Sequence, residues 1–156
     1  MEIRVREATA GDVPLLKELI DEMSVFERLP ISITEDALLR DGFHGVPKYR
    51  ALLAFNKKEP AGYAFVYDCY SSFDGKGVYL EDLYVRPAFR GKNAAIALLR
   101  AVARTAVDDD CFGIVLNILR WNTPSYNFFT RAGAAILDDR QVLRISRDRL
   151  DLLTRS

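Results

Sequence analysis

Val78-Tyr79-Leu80-Glu81-Asp82-Leu83-Tyr84-Val85-Arg86-Pro87-Ala88-Phe89-Arg90-Gly91-Lys92-Asn93-Ala94-Ala95 is the stretch whose reading decides the fold. Val78, Leu80, Leu83 and Val85 are strand formers, and Pro87 stops the ladder because it has no amide proton to donate. Ala95, Leu98, Leu99, Val102 and Ala106 then recur at the spacing of one apolar helical stripe, while Arg100 and Arg104 point the other way. The stretch reads as a buried strand, a tight turn and a helix start. Arg90 to Ala94 lie at the junction, where the first helical amides have no partner inside the helix. Such amides form an anion site, and Arg90 and Lys92 add positive charge; the plainer reading is a basic surface turn. Gly91, Ala94 and Ala95 are small enough to let a phosphate reach the backbone. Neither G-x-G-x-x-G nor the phosphate-loop Gly-Lys-Ser/Thr run occurs.

Working outward, the composition bounds the class. A chain of 156 residues, 49% hydrophobic and 28% charged, is expected to form one compact domain over residues 1–156. Basic and acidic residues balance at 22 each, so no basic excess points to nucleic acid or to an anionic membrane. No apolar run reaches membrane-spanning length, and Met1-Glu2-Ile3-Arg4 does not read as a secretory leader. Cys69 and Cys111 have no metal-ligand spacing and suit free thiols in a reducing compartment, so a cytoplasmic location is expected. His44 is the single histidine and no carboxylate cluster pattern stands out, so no metal is expected.

Upstream, Ile3 and Val5 start a short strand, and Asp12 caps a helix whose stripe is Val13, Leu16, Ile20 and Met23. Glu18, Asp21 and Glu22 read as solvated. Thr34-Glu35-Asp36-Ala37 caps a second helix to about Asp41, with Gly42 as its stop. Tyr49 to Phe55 and Ala61 to Tyr70 read as strands around a hairpin turn, and residues 71–77 as a second turn. Downstream, Ile114 to Leu119 is an apolar run that suits an interior parallel strand. Thr123 is the expected cap of a short helix ending at Arg131-Ala132-Gly133. Ala135 to Leu137 and Val142 to Ile145 are expected to pair as final strands, with a terminal turn at Asp148 to Leu153. A mixed sheet with helices on both faces is an α+β or α/β domain.

Tyr79 to Val85, Phe89-Arg90-Gly91, Trp121-Asn122, and Asn127-Phe128 with Arg131-Ala132-Gly133-Ala134 together resemble the GNAT superfamily of acetyl-coenzyme-A-dependent N-acetyltransferases. Asp41-Gly42-Phe43 agrees with its diamine, polyamine and thialysine branch. The resemblance implies a three-layer α+β fold with a mostly antiparallel sheet and a splayed central strand pair. It also implies acetyl-coenzyme A as the acyl donor, a small primary amine as acceptor and a homodimer.

The superfamily's cofactor motif, Arg/Gln-x-x-Gly-x-Gly/Ala, falls on Arg90, Gly91, Lys92, Asn93, Ala94 and Ala95, with Asn93 where glycine is expected. Asparagine tolerates left-handed geometry better than most residues. By the same resemblance Leu83, Tyr84 and Val85 pair with the pantetheine arm, and Asn122 lies near the coenzyme; read by itself, Asn122 is a turn residue. Phe129 stands where the family carries the tyrosine that protonates the leaving thiolate, leaving a coenzyme contact with no proton to give. Tyr126, close to one helical turn earlier, is the candidate substitute.

An amine must be neutral to attack, and the resemblance favours Glu81 as the residue that orders a deprotonating water. On a regular strand Asp82 would face the opposite side. Glu27 resembles a cation-binding carboxylate. Ser71 and Phe73 stand where the branch carries substrate contacts, and the serine tilts the acceptor away from long polyamines. Two alternatives remain open: transfer to a peptide or protein amine, and coenzyme A binding without turnover.

Overall fold

The computed structural model describes residues 1–155, and the chain divides into two compact units, Met1–Leu119 and the segment from Arg120 onward. In the first unit, two-residue alternation builds a five-stranded sheet in the order β1 (Ile3–Glu7), β2 (Arg50–Asn56), β3 (Glu59–Ser71), β4 (Gly75–Val85), β5 (Ile114–Leu116). Neighbours β1 to β4 are antiparallel, and β5 runs parallel to β4. β2 and β3 stay paired up to Asn56 opposite Glu59, so Lys57 and Lys58 alone make the turn, with Lys57 at φ 55°.

Each strand presents one residue set to each side. Ala51, Leu53, Tyr63 and Tyr84 are buried on one face together with Val13, Leu16 and Leu19 of helix α1 (Val13–Glu27) and Leu38 of α2 (Glu35–Phe43). The alternate set, Ala54, Ala64, Val66, Val78 and Leu80, faces the other way, where α3 (Ala94–Asp108) lies across β1 to β4 and buries Leu98, Val102 and Ala106. Helices therefore cover both faces of the sheet. At Gly62 the backbone of β4 comes close: a Cβ there would stand 2.2 Å from the carbonyl oxygen of Tyr84.

Gly42 does not stop α2, as its place in the sequence suggests. It is buried inside the helix with the Tyr49 ring against it, where a Cβ would come within 2.5 Å of Tyr49 Cζ. The Tyr49 hydroxyl in turn donates to the Leu38 carbonyl at 2.6 Å. The parallel strand is also shorter than its apolar run and ends at Leu116.

The second unit holds α4 (Thr123–Arg131) and α5 (Arg147–Leu153). Asn122, and not Thr123, caps α4: its Oδ1 accepts from the Ser125 amide at 3.3 Å. The expected strand pair at Ala135–Leu137 and Val142–Ile145 is absent among the described residues, which are irregular and exposed there. Alternating apolar residues make a strand only with a partner edge and a layer to cover one face. Ile136, Leu137, Val142, Leu143 and Ile145 have neither in their unit. The expected terminal turn is instead helix α5, begun after Ser146.

Candidate active site

Midway along β4 the pairing slips. Leu80 lies opposite Val66 and Asp82 opposite Phe65, so Glu81 is an extra residue bulged out of the ladder. The bulge removes the strict alternation that would send Glu81 and Asp82 to opposite faces. Instead the charges of Glu81 and of Glu27, the last residue of α1, both act on Asp82. Asp82 is half-buried, and its loss of solvent, with Glu81 and Glu27 beside it, pushes its carboxyl up to about 6 against one opposing influence, a hydrogen bond from Tyr63. The Tyr63 hydroxyl donates to Asp82 Oδ2 at 2.9 Å. Glu27 is half-buried and raised as well, by burial first and by Glu81 second. Glu81 itself is exposed. Three carboxylates thus converge at the end of α1 and the bulge of β4.

Aromatic rings flank them. Tyr67 and Tyr79 stack with centroids 4.9 Å apart, and burial with the nearby Glu81 charge pushes the Tyr67 hydroxyl up to about 12. Asn117 Nδ2 donates to the Tyr79 hydroxyl. Such a setting of carboxylates and ring faces suits an organic cation.

Beyond the bulge the central strands part. β5 pairs with β4 only from Val78 to Leu80, while Leu83, Tyr84 and Val85 remain paired to β3 alone. A short 3-10 turn, Pro87–Phe89, follows, and then the loop that starts α3. Gly91 and Asn93 both take left-handed backbone angles, φ 70° and 67°. Asparagine at the motif's glycine position is therefore accommodated by adopting the glycine conformation. Among the described residues no backbone acceptor faces the amides from Gly91 to Ile96, and a Cβ on Gly91 would meet nothing within 4 Å. The loop is an open row of donors of the kind that receives an anion. Its basic side chains are turned back: Arg90 Nε donates to the Val85 carbonyl at 2.9 Å, and Lys92 Nζ to the Ala88 carbonyl at 3.0 Å. The Arg90 guanidinium also lies 4.8 Å from the Phe26 ring centroid and 5.9 Å from that of Tyr84.

In the second unit, Asn122 is buried at the start of α4 and Phe129 is buried on it, edge-on to Phe128 at 5.0 Å. Tyr126, one turn earlier on the same helix, is 41% exposed.

The structure thus brings Glu27, Glu81 and Asp82 together and sets Leu83 to Val85 in line with the open loop. It leaves Ser71 and Phe73 at the far end of the β3–β4 hairpin: the Ser71 Oγ accepts from the amides of Phe73 and Asp74 at 3.1 Å each, and Phe73 is 96% exposed. Sequence reasoning missed Tyr63, Glu22 and Arg86. Glu22, expected to be solvated, accepts from Arg86 and from the Tyr84 hydroxyl. No short-range spacing marks these residues, because every one of the contacts spans distant parts of the chain.

Residues 15–134 match the Acetyltransferase (GNAT) family. The chain is 33% identical over 147 residues to the thialysine N-epsilon-acetyltransferase of Bos taurus, covering 88% of this chain and 86% of that protein. It is 31% identical over 159 residues to spermidine/spermine N(1)-acetyltransferase-like protein 1 of Homo sapiens, covering 94% of this chain and 23% of that longer protein. Among solved structures, an integron cassette protein from the mobile metagenome of V. cholerae superposes with a TM-score of 0.81 at 18% identity, covering 100% of this chain and 99% of that one.

Proposed function

This chain belongs to the GNAT acetyltransferase family and is an acetyl-coenzyme-A-dependent N-acetyltransferase; we propose that its acceptor is the primary amine of a small cationic metabolite of the diamine, polyamine or thialysine kind. The observation that carries the acceptor class is the convergence of Glu27, Glu81 and Asp82 at the β4 bulge. Three carboxylates hold an ammonium group, whereas a neutral amide or alcohol would leave them repelling one another.

In this reading the pyrophosphate of the donor is received by the amides from Gly91 to Ala95, with Arg90, Lys92 and Asn93 bordering the loop. The pantetheine arm pairs with the backbone of Leu83, Tyr84 and Val85, where β5 has left β4. The Oδ1 of Asn122 is taken by its helix cap, so its Nδ2 is the group offered to the coenzyme. Glu81, exposed beside the two inner carboxylates, orders the water that takes the amine's proton. The neutral amine attacks the thioester carbonyl, the tetrahedral adduct collapses to the amide, and the departing thiolate takes a proton from Tyr126 or from water. Phe129 contacts the coenzyme without supplying a proton. Ser71 and Phe73 enter only as outer contacts at the hairpin tip.

The family match runs across both compact units, which supports one acetyltransferase domain over residues 1–156. A homodimer is part of the proposal, supported by the exposed apolar residues Leu143, Ile145 and Leu153 of the second unit. Sedimentation at micromolar protein tests it; a single species at the 17.7 kDa chain mass overturns it.

The acceptor is tested by incubating the protein and acetyl-coenzyme A with 1,4-diaminobutane, spermidine, lysine, thialysine and a lysine-containing peptide, followed by mass spectrometry. Acetylation of one of the small amines in preference to the peptide is expected. Modification of the peptide alone would transfer the proposal to protein amines.

A further inference from the structure

We propose that Tyr63 is a positioning residue for the acceptor: its hydroxyl, by donating a hydrogen bond to Asp82, orients that carboxylate and favours its anionic form beside the charges of Glu27 and Glu81. The inference rests on the acceptor reading above and deepens it.

Tyr63 is a fully buried side chain at 0% exposure, and its place in the sheet explains its reach. It pairs across the ladder with Tyr84, while Asp82 pairs with Phe65, so Tyr63 and Asp82 are diagonal neighbours on one face. Packing alone would be served by phenylalanine, which fills the same volume with no hydroxyl to desolvate. A buried hydroxyl is costly unless bonded, and this one is bonded to Asp82 Oδ2 at 2.9 Å, with the Met23 sulfur of α1 3.2 Å away.

The groups that act on Asp82 come from each element around it. α1 contributes Glu27, β4 contributes Glu81, and β3 contributes Tyr63. The two carboxylates and burial all favour the neutral acid; the tyrosine hydroxyl is the single one of these influences that favours the anion. No cation stands among them. The bulge at Glu81 makes this necessary, because it crowds a third carboxylate against a pair already short of solvent.

The test uses Tyr63→Phe in the full-length protein, read by two independent measurements. Carbon-13 NMR of aspartate-labelled protein follows the Asp82 carboxyl directly, with Asp82→Asn assigning the resonance. Removing a donor from this half-buried carboxylate is expected to move its titration upward by about one pH unit. Acetyl transfer to the best small amine of the panel is then measured across pH. The acid limb of kcat/KM should rise with the carboxyl, about fivefold lower activity at pH 6 converging on wild type above pH 8. The loss should appear in KM for the amine, with coenzyme affinity unchanged. An Asp82 titration that is the same in both proteins overturns the proposal. A titration that moves while the amine KM and the acid limb stay fixed overturns the positioning role. A wild-type protein that acetylates no amine removes the acceptor reading, and the positioning role with it, while the titration still reports separately on the pair.

Discussion

Glu22 on α1 and Arg86 just past the end of β4 are separated by 64 positions in the chain and meet side by side, with Arg86 Nε 3.0 Å and Nη2 2.7 Å from the two carboxylate oxygens. Arg86 reaches Glu18 on the same helix and the Pro60 carbonyl as well, and the Tyr84 hydroxyl donates to Glu22 at 3.3 Å. This tie fixes the first helix to the point where β4 hands over to the loop that starts α3. Arg86→Met is expected to cost about 2 kcal/mol, because it leaves a half-buried carboxylate without its cation. Glu22→Gln in the same chain should return part of that loss, which urea denaturation of the single and double variants would measure. Strict additivity of the two changes would show that the pair is not coupled.

Asp82 makes its own contribution to the pH dependence of stability. Its folded value, about 6, lies above the ordinary 3.8, so the folded protein holds this proton more tightly than the unfolded chain. Stability from this group is therefore full below pH 3.8 and is lost as pH rises to about 6. Asp82→Asn keeps an acceptor for Tyr63 and removes the charge, so it should stabilise the protein at pH 7.5 by up to ~2 kcal/mol, with the gain disappearing near pH 4. Acetyl transfer should fall in the same variant. Urea midpoints at the two pH values check this, and an Asn variant less stable at pH 7.5 would contradict it.

Asn93 holds a left-handed conformation at φ 67° without any hydrogen bond from its side chain to the helix it begins. Asn93→Gly relieves the Cβ strain of that conformation and clears the side chain from the donor row, at the cost of a more flexible unfolded chain. Folding stability should change by less than ~1 kcal/mol, while coenzyme A should bind several-fold more tightly. Calorimetry decides between this and the opposite result, weaker binding, which would identify the asparagine amide as a phosphate donor.

Phe129 is buried on α4, and tyrosine there adds one oxygen to a ring of the same shape. If protonation of the thiolate limits turnover, Phe129→Tyr should raise kcat by about tenfold, within the range of general-acid catalysis, with coenzyme affinity little changed. Tyr126→Phe should then lower kcat only slightly. If Tyr126 already supplies the proton, Tyr126→Phe cuts kcat sharply and Phe129→Tyr adds almost nothing. Melting temperatures of both variants separate a chemical effect from a packing one, and unchanged kcat in both would reject a missing tyrosine here and point to solvent protonation or a different slow step.

Much of this protein was settled by local sequence. The strand–turn–helix order around Arg90 followed from a proline that cannot pair, small residues in the turn and an apolar stripe at helical spacing, and the loop's left-handed angles fall on the glycine and asparagine that tolerate them. The family motif was legible for the same reason, since its residues are contiguous. Tertiary structure decided the rest. Whether Glu81 and Asp82 point together or apart depends on a one-residue slip against β3, and nothing in β4 alone records it. The roles of Tyr63, Glu22 and Arg86 arise from contacts between distant segments, where packing and burial change what an otherwise ordinary side chain does. The apolar alternation after Gly133 shows the converse: its residues have strand character, but a strand exists only when another edge accepts its backbone and another layer covers its face.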